Sequence, residues 1–160
     1  MSLILDGSAG VTFPNSTVQA SAGNVLQVVN ATYSTQVSNS AGGVWADTGL
    51  TATITPKFST SKILVIWAIN GTYSAKAIGT ETNLLRGSTQ IVLTETIASR
   101  EGSGAVDAGS GTSGGTYLDS PATTSATTYK CQYMPRSGAD AVYAQYGSST
   151  SMMTLMEIAQ

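Results

Sequence analysis

Histidine is absent from this chain, and ionic side chains are scarce: seven Lys and Arg against nine Asp and Glu make up 10% of 160 residues, where an ordinary soluble domain carries about 25%. Without histidine there is no imidazole to move protons near neutrality or to ligate zinc. So little charge leaves almost nothing with which to capture nucleic acid or an anionic membrane electrostatically, and the net charge of −2 points the same way. The lone cysteine, Cys131, can neither close an internal disulfide nor build a zinc site. Long apolar runs are missing as well. The longest, Ile63 to Ile69, is about a third of the ~20 residues that a membrane-spanning helix needs. The stretch Met1-Ser2-Leu3-Ile4-Leu5-Asp6 has no basic region and its apolar run is cut by a carboxylate, so no signal peptide is expected there.

What the chain has instead is glycine, serine and threonine throughout, with β-branched and aromatic residues in short runs between them. Helical periodicity is not sustained beyond two turns, and the expectation is an all-β fold, an antiparallel β-sandwich of the jelly-roll kind. The main candidate strands are Val25 to Val37, Val44 to Ala46, Thr51 to Thr55, Lys62 to Tyr73, Asn83 to Arg86, Ile91 to Thr96, Gly115 to Asp119, Thr127 to Met134, Ala141 to Tyr146 and Ser151 to Ile158. Residues 1–24 stand apart as a small N-terminal β-hairpin arm, too poor in apolar side chains to be stable alone. A small-residue joint at Ala20 to Asn24 links it to a main domain over residues 25–160. Ser99 to Gly115 is dense in glycine and reads as a mobile surface loop.

Two strands carry more than the fold class. Ile63, Val65, Trp67 and Ile69 alternate with Leu64, Ile66 and Ala68, and Met152, Thr154, Met156 and Ile158 alternate with Met153, Leu155 and Glu157. A sandwich strand ordinarily alternates apolar-in with polar-out, so a strand apolar on both faces needs a second cover. That cover is either another copy of the chain or a further layer of the same subunit. A chain of this length has little material for a third layer, which favours the copy. Leu64, Ile66, Met153 and Leu155 are the residues expected at this contact.

Chemistry is thinly represented. The nine acids are scattered, and no pair sits at a spacing that would bring two carboxylates together for acid/base work. Neither catalytic nor metal-binding nor cofactor-binding residues are expected. Glu101 and Asp107 lack the dense ligand series of a calcium loop, Asp47 and Asp119 read as turn residues, and Cys131 reads as a buried small apolar side chain. Tyr33, Trp45, Tyr73, Tyr117, Tyr143 and Tyr146 suit either packing or stacking on pyranose rings. Of these Tyr117, beside the glycine-dense loop, is the expected contact for a glycan.

The stretch Gly10-Val11-Thr12-Phe13-Pro14-Asn15-Ser16-Thr17-Val18-Gln19 resembles the short Thr-Phe-Pro-Asp-Gly-x-x-Gln element near the N-terminus of many tailed-phage structural proteins, with Asn15-Ser16 in place of Asp-Gly. Val25 to Val29, Asp47 to Pro56, Ser61 to Val65, Leu84 to Thr89, Leu118 to Pro121 and Thr154 to Ile158 look like the domain that follows that element in phage fibre and tail proteins. The resemblance implies a non-enzymatic virion structural protein with a jelly-roll knob assembled as a homotrimer, similar to the complement C1q and tumour necrosis factor class. It would sit on the virion exterior, with Phe13, Pro14 and Val18 docking the arm on another virion protein, the major capsid protein or a tail protein. The chain has no long shaft, which favours a capsid decoration protein or short head fibre over a tail-fibre or tail-tip component that binds host surface glycan. A polysaccharide-cleaving enzyme is the least favoured class, for want of acids and of a repetitive β-helix period.

Overall fold

The computed structural model describes residues 4–6, 10–12, 18–19, 25–74, 78–96, 109–136 and 140–160. Three short strands, β1 (Ile4–Asp6), β2 (Gly10–Thr12) and β3 (Val18–Gln19), make an antiparallel sheet that pairs with neither sheet of the main body. The main body is an all-β antiparallel sandwich. Its strands are β4 (Val25–Tyr33), β5 (Val37–Asn39), β6 (Ala46–Ile54), β7 (Lys62–Ser74), β8 (Thr80–Arg86), β9 (Thr89–Thr96), β10 (Gly109–Asp119), β11 (Thr127–Pro135), β12 (Val142–Ala144) and β13 (Ser151–Ile158). One sheet runs β4-β13-β7-β10, with β12 and β5 extending it along the far end of β7; the other runs β6-β11-β8-β9.

Strand β7 is the spine of the first sheet. Its β-branched, double-faced run lets it pair with β13 on one edge and β10 on the other along the same residues. Ile63, Val65, Trp67 and Ile69 point inward and are buried, where they meet Leu50, Ala52 and Ile54 of β6 and Tyr129, Cys131 and Tyr133 of β11. Cross-strand register puts Met153 opposite Trp67 and Leu155 opposite Val65, so both belong to the same inward row and are buried too. The expectation that Met153 and Leu155 face another copy is therefore corrected: they lie in the core, and the outward residues of β13 are Met152, Thr154 and Met156.

Three local expectations also change. Val44 to Thr55, read as two strands split by the Asp47-Thr48-Gly49 turn signal, holds a single strand, β6, with a bulge in its register against β11. Gly49 takes φ +84° there, and a Cβ would run into the Tyr33 ring, so the glycine serves a bulge rather than a turn. Residues 99–108 lie outside the described part of the chain, but Gly109 to Gly115, expected in a loop, belongs to β10. The glycines are there because Trp67 is opposite. A Cβ on Gly114 would collide with the Trp67 carbonyl, and one on Gly115 would come to 3.1 Å from the indole. Asp119 is no turn residue. Buried at the end of β10, it accepts hydrogen bonds from Arg86 Nη1 at 2.8 and 2.9 Å and from the Tyr129 hydroxyl at 2.6 Å, tying the two sheets together.

Glu157 fastens the end of the sandwich where residue 25 enters. It is buried on β13, and its carboxylate accepts from the Lys57 and Phe58 backbone N–H groups at 2.7 and 3.4 Å and from Gln27 Nε2 at 2.6 Å. Burial pushes its pKa up, yet the Gln27 amide and the two backbone donors outweigh that and hold it below the ordinary carboxylate value. A depressed folded-state pKa gives stability that is complete above the unfolded value of about 4.3 and is lost as pH falls through the folded one. Glu157→Gln is expected to lower stability at neutral pH by about 1–3 kcal/mol and to flatten the acid limb of the profile, part of which remains because Asp47 is depressed as well. Urea denaturation at a series of pH values measures both; an acid limb identical to wild type would contradict the assignment.

Candidate functional site: one apolar sheet face and a tyrosine cluster

The two sheets differ on their outer faces. On the β6-β11-β8-β9 sheet, Asp47, Thr51, Thr53, Thr128, Lys130 and Gln132 point away from the core. Asp47 accepts from Lys130 Nζ at 3.0 Å and Gln132 Nε2 at 2.7 Å, and Thr53 pairs with Thr128 at 2.7 Å. Partial burial raises the Asp47 pKa, but these two hydrogen bonds and the Lys130 charge outweigh it and bring the group below its usual range. On β6 and β11 this is ordinary polar-out patterning, whereas β8 and β9 add Leu85 and Leu93 to the same outer face; Asp47 is a strand residue held by its neighbours rather than a turn residue.

On the outer face of β4-β13-β7-β10, register lines up Val28, Met156, Leu64 and Leu118 in one row, Asn30, Thr154, Ile66 and Thr116 in the next, and Thr32, Met152, Ala68 and Gly114 in a third. Val28, Ile66, Leu118 and Met152 remain 55%, 39%, 48% and 47% exposed. Burying such a side chain completely is worth about 1.5–3 kcal/mol, so covering these half-exposed ones gains about half of that each. Of the residues expected at a contact between copies, Leu64 and Ile66 lie on this face and Met153 and Leu155 do not.

Toward the far end of β7 the same face becomes aromatic. Tyr73 of β7 is registered with Tyr143 of β12, and the single 3₁₀ turn Tyr146–Ser148 lays Tyr146 over Tyr73 with ring centroids 4.2 Å apart and an interplanar angle of 18°. Tyr143 meets Tyr146 edge-on at 5.5 Å. The turn is tightly held. Gln145 and Ser148 have φ of 54° and 61°, and Gly147 has 65°. The buried Gln145 amide, oriented to satisfy both its ends, accepts from Ser151 Oγ and donates to the Thr48 and Ala144 carbonyls. Its backbone N–H donates to Asn70 O at 3.0 Å, and Gly147 N–H donates to Gln36 Oε1 at 3.1 Å. Gly71, itself at φ +62°, lets the turn press onto β7, since a Cβ there would meet the Tyr146 backbone at 2.7 Å.

Tyr117 sits elsewhere. It is registered with Val65, hence on the inward row of the edge strand β10, and is 37% exposed at the sandwich margin. Phe13 and Pro14 lie outside the described residues, and of Val18 only the backbone is placed, in β3. The bulge in β6 leaves a shallow depression lined by Asp47, Gly49, Leu50, Thr51, Lys130 and Cys131. Burial pushes the Cys131 thiol up to about 12, which leaves it protonated and unreactive at neutral pH. Among the described residues, no three His, Cys, Asp or Glu gather as a metal site, and no helix is long and apolar enough to cross a membrane. Tyr73, Tyr143 and Tyr146 are three of the six aromatics named from the sequence for packing or sugar stacking; that they form one cluster was not legible there, since β7–β12 pairing brings them together.

Compared with known proteins, the chain matches no family model and no curated sequence.

Ile66→Lys and Met153→Lys separate the two faces of the sheet. Ile66→Lys places a charge on a surface and is expected to change the melting midpoint of the isolated subunit little while weakening self-association. Met153→Lys buries an unpaired charge and is expected to prevent folding. Circular dichroism and sedimentation velocity read both, and equal damage from the two substitutions would contradict the assignment of faces.

Proposed function

We propose that the chain is a non-enzymatic structural protein of a tailed-phage virion, a homotrimeric exterior knob that decorates the capsid as a decoration protein or short head fibre. The observation that carries the proposal is the set of half-exposed apolar side chains, Val28, Ile66, Leu118 and Met152, on the outer face of β4-β13-β7-β10. A subunit built this way is incomplete by itself, and further copies of the same chain are the cover that is always present at the right stoichiometry. The strand order supports a jelly roll: β4, β13, β7 and β10 face β6, β11, β8 and β9, the pattern that results when a long antiparallel hairpin is wrapped on itself. The resemblance of Gly10 to Gln19 and of the segments after it to phage fibre and tail proteins supplies the virion setting. The separate sheet of β1, β2 and β3 suits an arm that docks on a capsid or tail protein.

The carboxylates support a structural rather than a catalytic reading, since Asp47, Glu81, Asp119 and Glu157 are each engaged by Lys130, Arg136, Arg86 or backbone N–H groups. A tail-fibre or tail-tip component that reads host surface glycan is the second reading, and the tyrosine cluster is the observation in its favour.

Immunogold electron microscopy of intact particles with antibody against the whole chain tests the proposal. Label over the head is the expected result. Label at the tail tip replaces it with the second reading, and unlabelled particles overturn the virion assignment. Deleting Met1 to Gly23 is expected to abolish incorporation while leaving the domain folded; incorporation at wild-type level would place the docking surface on the sandwich.

A further inference from the structure

Antiparallel pairing fixes which end of the sandwich faces which way. Val25, where the arm joins, is registered with Ile158, and Ile158 with Lys62 at the start of β7. The tyrosines gather at the other end of β7, which is 13 residues long, so roughly 40 Å of strand separates the cluster from the arm's point of entry. If the arm docks on the particle, the tyrosines stand at the outer tip of the knob.

At that tip the turn over 145–148 presents one large side chain, Tyr146. The turn's backbone sits in the left-handed region at Gln145 and Ser148, a conformation that persists only where the surroundings hold it, and here Asn70, Gln36, Ser151 and Thr48 do so. Tyr146 has one ring face stacked on Tyr73 and is 43% exposed, so its free face and hydroxyl are what it offers to solvent. Within the described chain the hydroxyls of Tyr73, Tyr143 and Tyr146 make no hydrogen bond, in contrast to the core Tyr129, whose hydroxyl donates to Asp119. Two neutral polar groups lie beside the turn: Asn70, whose amide donates to Thr150 O and accepts from Thr112 Oγ1, and Ser149, whose hydroxyl donates to Tyr146 O.

We propose that Tyr146, backed by Tyr73 and Tyr143, is a carbohydrate-contact site that stacks the apolar face of a pyranose ring and uses the phenol hydroxyls for the sugar's hydroxyls. An open aromatic face suits the C–H face of a sugar, and uncharged donors and acceptors beside it suit the sugar's hydroxyls. The site moves the expected glycan contact from Tyr117 to the tip. Its orientation toward a host surface rests on the arm-docking reading above; the binding chemistry does not.

The full-length protein is applied to an array of purified bacterial O-polysaccharides and capsular polysaccharides, with native mass measured on the same samples. Wild type is expected to bind at least one polysaccharide. Tyr146→Ala is expected to weaken that binding about tenfold with unchanged native mass and melting curve, Tyr146→Phe to keep most of it, and Tyr117→Ala to behave as wild type. An array with no bound polysaccharide, or full binding by Tyr146→Ala, overturns the site. A change in native mass on Tyr146→Ala also overturns it, because the ring would then belong to the contact between copies. Binding through Tyr146 by a protein that particles do not carry upholds the site and removes the virion reading alone.

Discussion

β7 is apolar on both sides, and a two-layer sandwich can bury only one of them. The rest of the structure follows from how the chain resolves that constraint. Ile63, Val65, Trp67 and Ile69 take the interior and set the register of β13 and β10. Leu64, Ile66 and Ala68 are left on a face where Val28, Leu118, Met152 and Met156 join them. Val28, Ile66, Leu118 and Met152 are each about half exposed, so covering them gains about 3–6 kcal/mol in all, against a net domain stability of about 5–15 kcal/mol. On the opposite sheet, threonines and the Asp47–Lys130 pair occupy the outer face of β6 and β11.

The two ends of the sandwich are finished in different ways. At the end where residue 25 enters, Glu157 gathers the 55–61 connection and the start of β4 around one buried carboxylate. Arg86, Asp119 and Tyr129 add a charge-assisted clamp between the sheets. At the other end neutral groups, Gln145, Ser151, Thr48 and Asn70, hold a turn whose most exposed large side chain is Tyr146. The base is anchored by buried charge, and the tip combines an aromatic cluster with the Arg136–Glu81 ion pair at the start of β8.

The all-β class and the double-faced character of β7 were legible from alternation alone, because side-chain period in a strand is set by the backbone and needs no tertiary information. Alternation does not say which phase is inward. On β13 the phase Met153, Leu155, Glu157 ends in a carboxylate and so reads as outward, yet it is the buried one, since backbone N–H groups from the 55–61 connection pay the cost of burying Glu157. Gly109 to Gly115 reads as loop because glycine weakens a strand, whereas at Gly114 and Gly115 the space of the missing side chains is taken by the Trp67 carbonyl and indole of the neighbouring strand. Asp47-Thr48-Gly49 has the chemistry of a turn and is spent on a bulge against β11. Tyr73, Tyr143 and Tyr146 meet only through pairing between distant segments. These features depend on partners far away in the chain, which local pattern does not contain.

The central claim is that the outer face of β4-β13-β7-β10 is closed by other copies of the chain. Native mass spectrometry of the purified full-length protein, diluted from micromolar to nanomolar concentration, tests it most directly. The account predicts a species of three times the 16.3 kDa chain mass that persists through the dilution. A lone 16.3 kDa species at micromolar concentration would contradict it, and the apolar face would then need another explanation.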